Sequence, residues 1–429
     1  MNKKLSRRDF LKLAGVASTG LSLSACGVDA TKLIDPTATP IFTPFPTPTN
    51  TPSLTPFPTS TNTPTLTPTP KTPTIGDFGR KIGIEIGVAM TILAVQKGNN
   101  FANPDFVNAL LNFAFFTDGQ ASHTAFTEGT DWKNTYAYLV KLSNFAKEHG
   151  MSYSPNHLFY GWGHFNKWSP IQSLITAPKD EIEKWMLERA KKIFTIPYFT
   201  EINFANEAII TDWRTGSPRW ATELENSPFY HAFGKDWVEK AYRITWDEAV
   251  RTGRKIGKDL RLVYNSAGID TQTPQAIFEF KYLKDLKDKL STDLGIERPF
   301  DIGMQFHTRT VDFGVNGCWG STPAQKLNKK QIVEHLQRFG EVGDIKITEF
   351  NICGSDSSDE QKEILHNILE AAIESGVCKQ FILWDVFNAS NSSTTDDKTW
   401  GVKNLFDKNY QPMFMFDELS KIVQSYTAT

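Results

Sequence analysis

From residue 76 onward the chain switches repeatedly between two hydrophobic periods. Short runs rich in β-branched and aromatic residues, at 81–88, 113–117, 151–159, 199–205, 261–265, 301–307, 344–349 and 380–386, read as strands. Between them, apolar residues recur every three to four positions over 131–148, 179–194, 235–253, 274–290, 329–339 and 359–375, which reads as amphipathic helix. Eight strands alternating with helices over roughly 350 residues predict an α/β fold, a (β/α)8 TIM barrel with insertions. The competing open, doubly wound sheet would require a glycine-rich phosphate loop after an early strand, and the sequence has none.

Before residue 76 the pattern is absent. Residues 35–74 are Pro-Thr repeats holding about half of the 23 prolines, with few apolar side chains to bury. Proline fixes φ and removes backbone donors, so the linker, 27–75 in all, is expected to be extended and unfolded. At about 3.1 Å per residue in polyproline II it could span on the order of 100 Å. Residues 1–26 form a leader: Arg7-Arg8 precede a short, Ser- and Gly-containing apolar run ending in Leu23-Ser24-Ala25-Cys26. Twin arginines ahead of such a run are the pattern of a twin-arginine signal, and the run is too short to be a convincing membrane span. The last four residues resemble a bacterial lipobox, which implies lipidation of Cys26. The expectation is an exported protein, either lipid-anchored on the outer face of a bacterial membrane with the linker as tether, or cut nearby and secreted.

Charge narrows the partners. A formal net charge of −2 with 22% charged residues argues against nucleic acid as a partner. The 11 Trp suit a sugar ligand, because indole faces stack on the apolar faces of pyranose rings, although they serve a core equally well. With Cys26 assigned to the leader, Cys318, Cys353 and Cys378 leave room for one disulfide at most, so stability must come from a large core. No cluster has metal-ligand spacing, and the chain is expected to act as a monomer without cofactor.

The chemistry-bearing residues fall at the C-terminal ends of the expected strands: His157, Asn206, Glu207, Asn265, Gln305, His307, Glu349 and Trp384. That end of a barrel is where sites are built. A strand-end glutamate is most often a solvated loop residue. Two of them, Glu207 and Glu349, are the equipment for cleaving a glycosidic bond.

Five motifs in order then resemble glycoside hydrolase family 10, the retaining endo-β-1,4-xylanases, over most of residues 80–429. Asn206-Glu207-Ala208 is similar to the family's acid/base signature, and Gly303-Met304-Gln305-Phe306-His307 to its Gly-x-Gln-x-His strand. Ile347-Thr348-Glu349-Phe350-Asn351-Ile352 is similar to its nucleophile strand, Trp384-Asp385-Val386 to its Trp-Gly-Val, and 405–412 to its closing segment. The resemblance implies Glu207 as acid/base and Glu349 as nucleophile in a double displacement on xylan. It implies Asn206 on the sugar 2-hydroxyl and His307 orienting Glu349, the alternative for His307 being a histidine satisfied in the core. Substrate would be lined by His157, Trp162, Gln305 and Trp384, the last of which could equally be core.

The sequence also departs from the family. Where the second strand usually ends in a Glu-Asn-x-x-Lys-Trp pattern, this chain has Gly119, Gln120 and His123 at the matching positions. Gln120 and His123 would then read sugar with different reach and charge, and Gly119 with no side chain. Asn351 replaces an aspartate, which removes a negative charge near His307 and disfavours its protonated form. A second Trp is missing near Ser392, where Trp400 could substitute. These departures keep two alternatives open: a non-catalytic surface protein that captures glycans on a decayed barrel, or a β-glycanase for another polymer.

Overall fold

The computed structural model describes residues 72–90, 100–118, 132–161, 174–211, 215–221, 227–310, 322–323, 328–353, 358–384, 405–407 and 409–428. The leader and nearly all of the linker lie outside these. The first helix, α1 (Ile75–Lys81), starts in a capping box: Thr74 Oγ1 accepts from the Asp77 N–H, and the Asp77 carboxylate accepts from the Thr74 N–H. Gly83, at φ 79°, turns the chain out of it. The strand expected from 81 therefore begins only at Glu85.

Eight parallel strands follow: β1 (Glu85–Ala89), β2 (Phe115–Thr117), β3 (Ser152–Ser154), β4 (Glu201–Asn206), β5 (Arg261–Ser266), β6 (Asp301–Met304), β7 (Ile345–Cys353) and β8 (Cys378–Leu383). Hydrogen bonding runs β3-β2-β1-β8-β7-β6-β5-β4. The two ends of that path meet through the segment after β3. Leu158 N–H donates to the Asn203 carbonyl (2.8 Å), Asn206 N–H to Phe159 (2.9 Å) and Gly161 N–H to Asn206 (2.7 Å). The sheet is thereby a nearly closed (β/α)8 barrel, as the alternation of periods predicted.

The helices outside it are set by local signals. In α2 (Pro274–Leu294), Thr273 caps the Ala276 N–H, Pro274 occupies the first turn and Gly295 ends the helix at φ 69°. In α3 (Lys329–Phe339), Asn328 caps Gln331, and Ile332, His335, Leu336 and Phe339 form the buried stripe. These stripes meet the outward side chains of the strands, such as Ile202, Phe204, Ile345 and Ile347, in one continuous core. Each such side chain contributes about 1.5–3 kcal/mol by leaving water.

The inside of the barrel is different. Among the described residues, Ala89, Phe115, Ile382 and Trp384 form a small apolar cluster of their own there. Thr117, Ser154, Asn156, Glu201, Asn203 and Thr348 line a cavity of about 10 Å³ beside it. Cys353, at the end of β7, is disulfide-bonded and Cys378 is a buried free thiol.

Candidate active site

Two strand irregularities shape the upper end of the barrel. The β4–β5 register shifts between Asn203 and Ala205, so Phe204 and Ala205 both face the outer core and Asn206 turns inward. The β7–β8 register shifts between Ile347 and Phe350. There Thr348 and Glu349, adjacent in sequence, both reach Asn265: Thr348 Oγ1 donates to its Oδ1 (2.6 Å) and its Nδ2 donates to Glu349 Oε1 (2.9 Å). A strand of strict period two would send them to opposite faces.

Glu207 follows β4 at φ 50°, an uncommon conformation for a residue with a side chain, held by its N–H donating to the Asn265 carbonyl at 2.9 Å. Its carboxylate accepts from Gln305 Nε2 at 2.7 Å and from the Tyr160 hydroxyl at 2.8 Å. Gly161 permits this approach, since a Cβ there would lie 2.6 Å from the Glu207 carbonyl oxygen. Glu349 Oε2 faces His307 Nε2 at 3.4 Å, and the other ring nitrogen meets Asn351 Oδ1 at 3.1 Å.

Asn265 and Gln305 thus serve both carboxylates reciprocally. Asn265 gives its carbonyl to the Glu207 N–H and its amide to the Glu349 side chain. Gln305 gives its amide to the Glu207 side chain and its carbonyl to the Glu349 N–H, at 3.1 Å. Asn265 also donates to Asn206 Oδ1 (2.7 Å), whose own amide nitrogen is buried without a hydrogen-bond partner. Gly303 leaves room for the Asn265 side chain to cross β6.

The environments differ in electrostatics. Burial pushes the Glu207 carboxyl above its usual range, opposed by the bonds from Gln305 and Tyr160 and reinforced by Glu349. The Tyr160 phenol is held well above its ordinary value by burial and then by Glu207, so it remains a donor. At His307 opposing effects meet. Burial pulls its pKa down, but the bond and charge of Glu349, followed by Asp270, outweigh burial and raise it. Asn351 offers the ring a hydrogen bond but no charge.

The remaining candidates divide. His157 is buried after β3, its Nδ1 3.2 Å from Asn203 Nδ2 and its carbonyl accepting from Arg189. Trp384 is 7% exposed and packs on the lumenal cluster at the end of β8. Trp162, Gln120, His123 and Cys26, with Gly119, Ser392 and Trp400, lie outside the described residues. Tyr160 and Asp270 were not singled out in the sequence. The available signals were slight: Tyr160 stands three residues past His157, and Asp270 five past Asn265.

Residues 78–422 match the sequence model described as glycosyl hydrolase family 10. A curated relative, endo-1,4-beta-xylanase B of Neocallimastix patriciarum, is 24% identical over 185 residues, which are 42% of this chain and 18% of that protein. The chain thus spans under a fifth of that relative's length. Native xylanase 10B from Thermotoga maritima superposes with a TM-score of 0.62 at 19% identity, covering 83% of this chain and 99% of that one. Xylanase 10B from Thermotoga petrophila, solved with xylobiose, superposes with a TM-score of 0.62 at 20% identity, covering 83% and 99%. Penicillium canescens endo-1,4-beta-xylanase gives 0.62 at 16%, covering 82% and 98%. At these identities the likeness to solved structures is one of fold.

Proposed function

With residues 78–422 matched, the chain belongs to glycosyl hydrolase family 10, and from that premise we propose that it is a retaining endo-β-1,4-glycanase acting on xylan. Glu207 protonates the leaving oxygen and later deprotonates water, while Glu349 attacks the anomeric carbon to form a glycosyl-enzyme.

The observation that carries this reading is the unequal setting of the two glutamates. Glu207 is partly accessible and its carboxyl is pushed up by burial, as an acid that must keep its proton near neutrality requires. Glu349 lies between the Asn265 amide, which donates to it, and the His307 imidazole, which together fix its carboxyl in place as the nucleophile. The amide nitrogen of Asn206 has no hydrogen-bond partner of its own, which supports reading it as the donor to the sugar 2-hydroxyl. The reaction needs no cofactor from this set of residues.

The test follows the anomer first released from xylan by NMR, with Glu207→Gln as control. Retention supports double displacement; inversion excludes it. Binding to xylan without turnover would favour glycan capture instead, and a panel of plant polysaccharides decides the polymer. Aryl β-xylobioside against aryl β-xyloside tests whether the altered 119–123 segment still grips a second sugar. We propose in addition that the protein is exported and anchored through an acylated Cys26, with the Pro-Thr segment as tether. Cys26→Ser would then appear in the medium, and a variant that stays in the membrane fraction would argue against the anchor.

A further inference from the structure

β6 does not run straight into the site. It pairs with β7 through Met304 and Ile347, breaks at Gln305–Phe306, and resumes as a short strand, His307–Arg309, paired with Asn351–Cys353. Phe306 is buried at the break with φ 55°, a left-handed conformation that a bulky side chain rarely adopts. This corner sends Gln305 to Glu207 and His307 to Glu349. Something must hold it.

The Phe306 N–H donates to Asp270 Oδ1 at 2.9 Å, and Asp270 is 1% exposed. The loop that carries Asp270 is fastened residue by residue. Gln275 Nε2 donates to the Ala267 carbonyl (2.7 Å), Thr273 Oγ1 to Gly268 (2.8 Å), and His335 Nε2 meets Ile269 (2.7 Å). The His335 imidazole is held below its ordinary pKa by burial, so it stays neutral with a single ring N–H for that carbonyl. Such support is what a residue needs if it is to impose geometry on a neighbour rather than follow it.

Asp270 also acts through charge. His307 is faced by Glu349 from β7, by Asp270 from the loop after β5, and by Glu207 from the end of β4, while Asn351 offers it only a neutral acceptor. Resting on the reading of the site given above, we propose that Asp270 is a positioning residue for both glutamates. It locks the Gln305–Phe306–His307 corner and supplies the negative charge against His307 that residue 351 does not.

Burial pushes Asp270 up to about 6, so it is ionised at neutral pH and loses its charge in mild acid. Asp270→Asn keeps an acceptor for the Phe306 N–H and removes only the charge. Asp270→Ala removes both.

The experiment titrates the His307 ring by NMR, assigned with His307→Gln, and measures kcat and KM on an aryl β-xylobioside. For Asp270→Asn the His307 pKa should fall by roughly one unit and kcat by about tenfold, with KM nearly unchanged. Asp270→Ala should lose more of kcat. Adding Asn351→Asp to Asp270→Asn should return the His307 pKa toward that of the parent, which a purely structural role would not predict. An unmoved His307 titration in Asp270→Asn overturns the proposal. If the parent chain hydrolyses no glycan, the functional reading fails, but the ring titration still decides the part played by Asp270.

Discussion

The two ends of the barrel both bury carboxylates, and they treat them in opposite ways. At the lower end Glu201 pairs with Lys346, which also faces Asp301 at 3.7 Å. Arg261 reaches Asp301 at 3.7 Å and Asp344 at 3.0 Å. Burial pulls the Lys346 pKa down, but Glu201 and Asp301 outweigh it and keep the ammonium charged. At the upper end Glu207 and Glu349 meet Tyr160, Gln305, Asn265 and His307, neutral donors and one titratable ring. Burial raises the Glu201 and Asp301 carboxyls as it raises Glu207, but at the lower end buried Lys346 opposes it with a full charge. A carboxyl held by neutral donors in the same low dielectric keeps a proton affinity that its surroundings can tune. The lower cluster is therefore held together by opposite charges, and Glu207 at the upper end is set by neutral partners.

The sharpest way to break this contrast is to delete one carboxylate at each end. Glu349→Ala should lower turnover by on the order of ten-thousandfold or more while leaving a cooperative thermal transition, because its partners are neutral or titratable and can adjust. Loss of that transition would make Glu349 structural. At the lower end Lys346→Met should cost about 3–5 kcal/mol in chemical denaturation, since it strands Glu201 and Asp301 without their buried cation. Among molecules still folded, turnover should be nearly that of the parent. An unchanged denaturation midpoint would show that the lower ion pair does not differ from a surface one.

A smaller effect concerns pH. Glu279, behind β5, is pushed up to about 7 by burial, against bonds from Tyr264, Ser266 and Gln275. A carboxyl raised in the folded state binds its proton more tightly there than in the unfolded chain. Its contribution is therefore fully present below pH 4.5 and is lost progressively as pH rises to about 7. Between pH 5 and pH 8 this one group should cost on the order of 2 kcal/mol, and Glu279→Gln should flatten that part of the stability profile. Equal slopes in parent and variant would contradict it. The smallest effect is expected at Tyr160. Tyr160→Phe removes a donor that favours the ionised form of Glu207, worth about 0.5–1.5 kcal/mol, so the alkaline limb of kcat/KM should move up by under about one unit. A limb that moves down would mean that Tyr160 does not act on the acid.

Much of this was legible before any coordinates, for identifiable reasons. Each of the eight strands overlaps an apolar run read from the sequence, and the helix over Lys329–Phe339 coincides with its predicted span, because burial periodicity is written locally. The pair Glu207 and Glu349 stood out because each ends such a run. The sequence by itself thus determined the alternation of elements, the barrel and which two carboxylates face its rim. Only the tertiary structure decided how they are dressed. Tyr160 and Glu207 are 47 residues apart, Asn265 and Glu349 are 84 apart, and Gln305 and Glu207 are 98 apart. No local period encodes such distances. The two bulges and the left-handed Phe306 are equally silent, since none is marked by glycine or proline. They arise where closing the barrel forces neighbouring strands into one register, and that constraint exists only once all eight strands are in place.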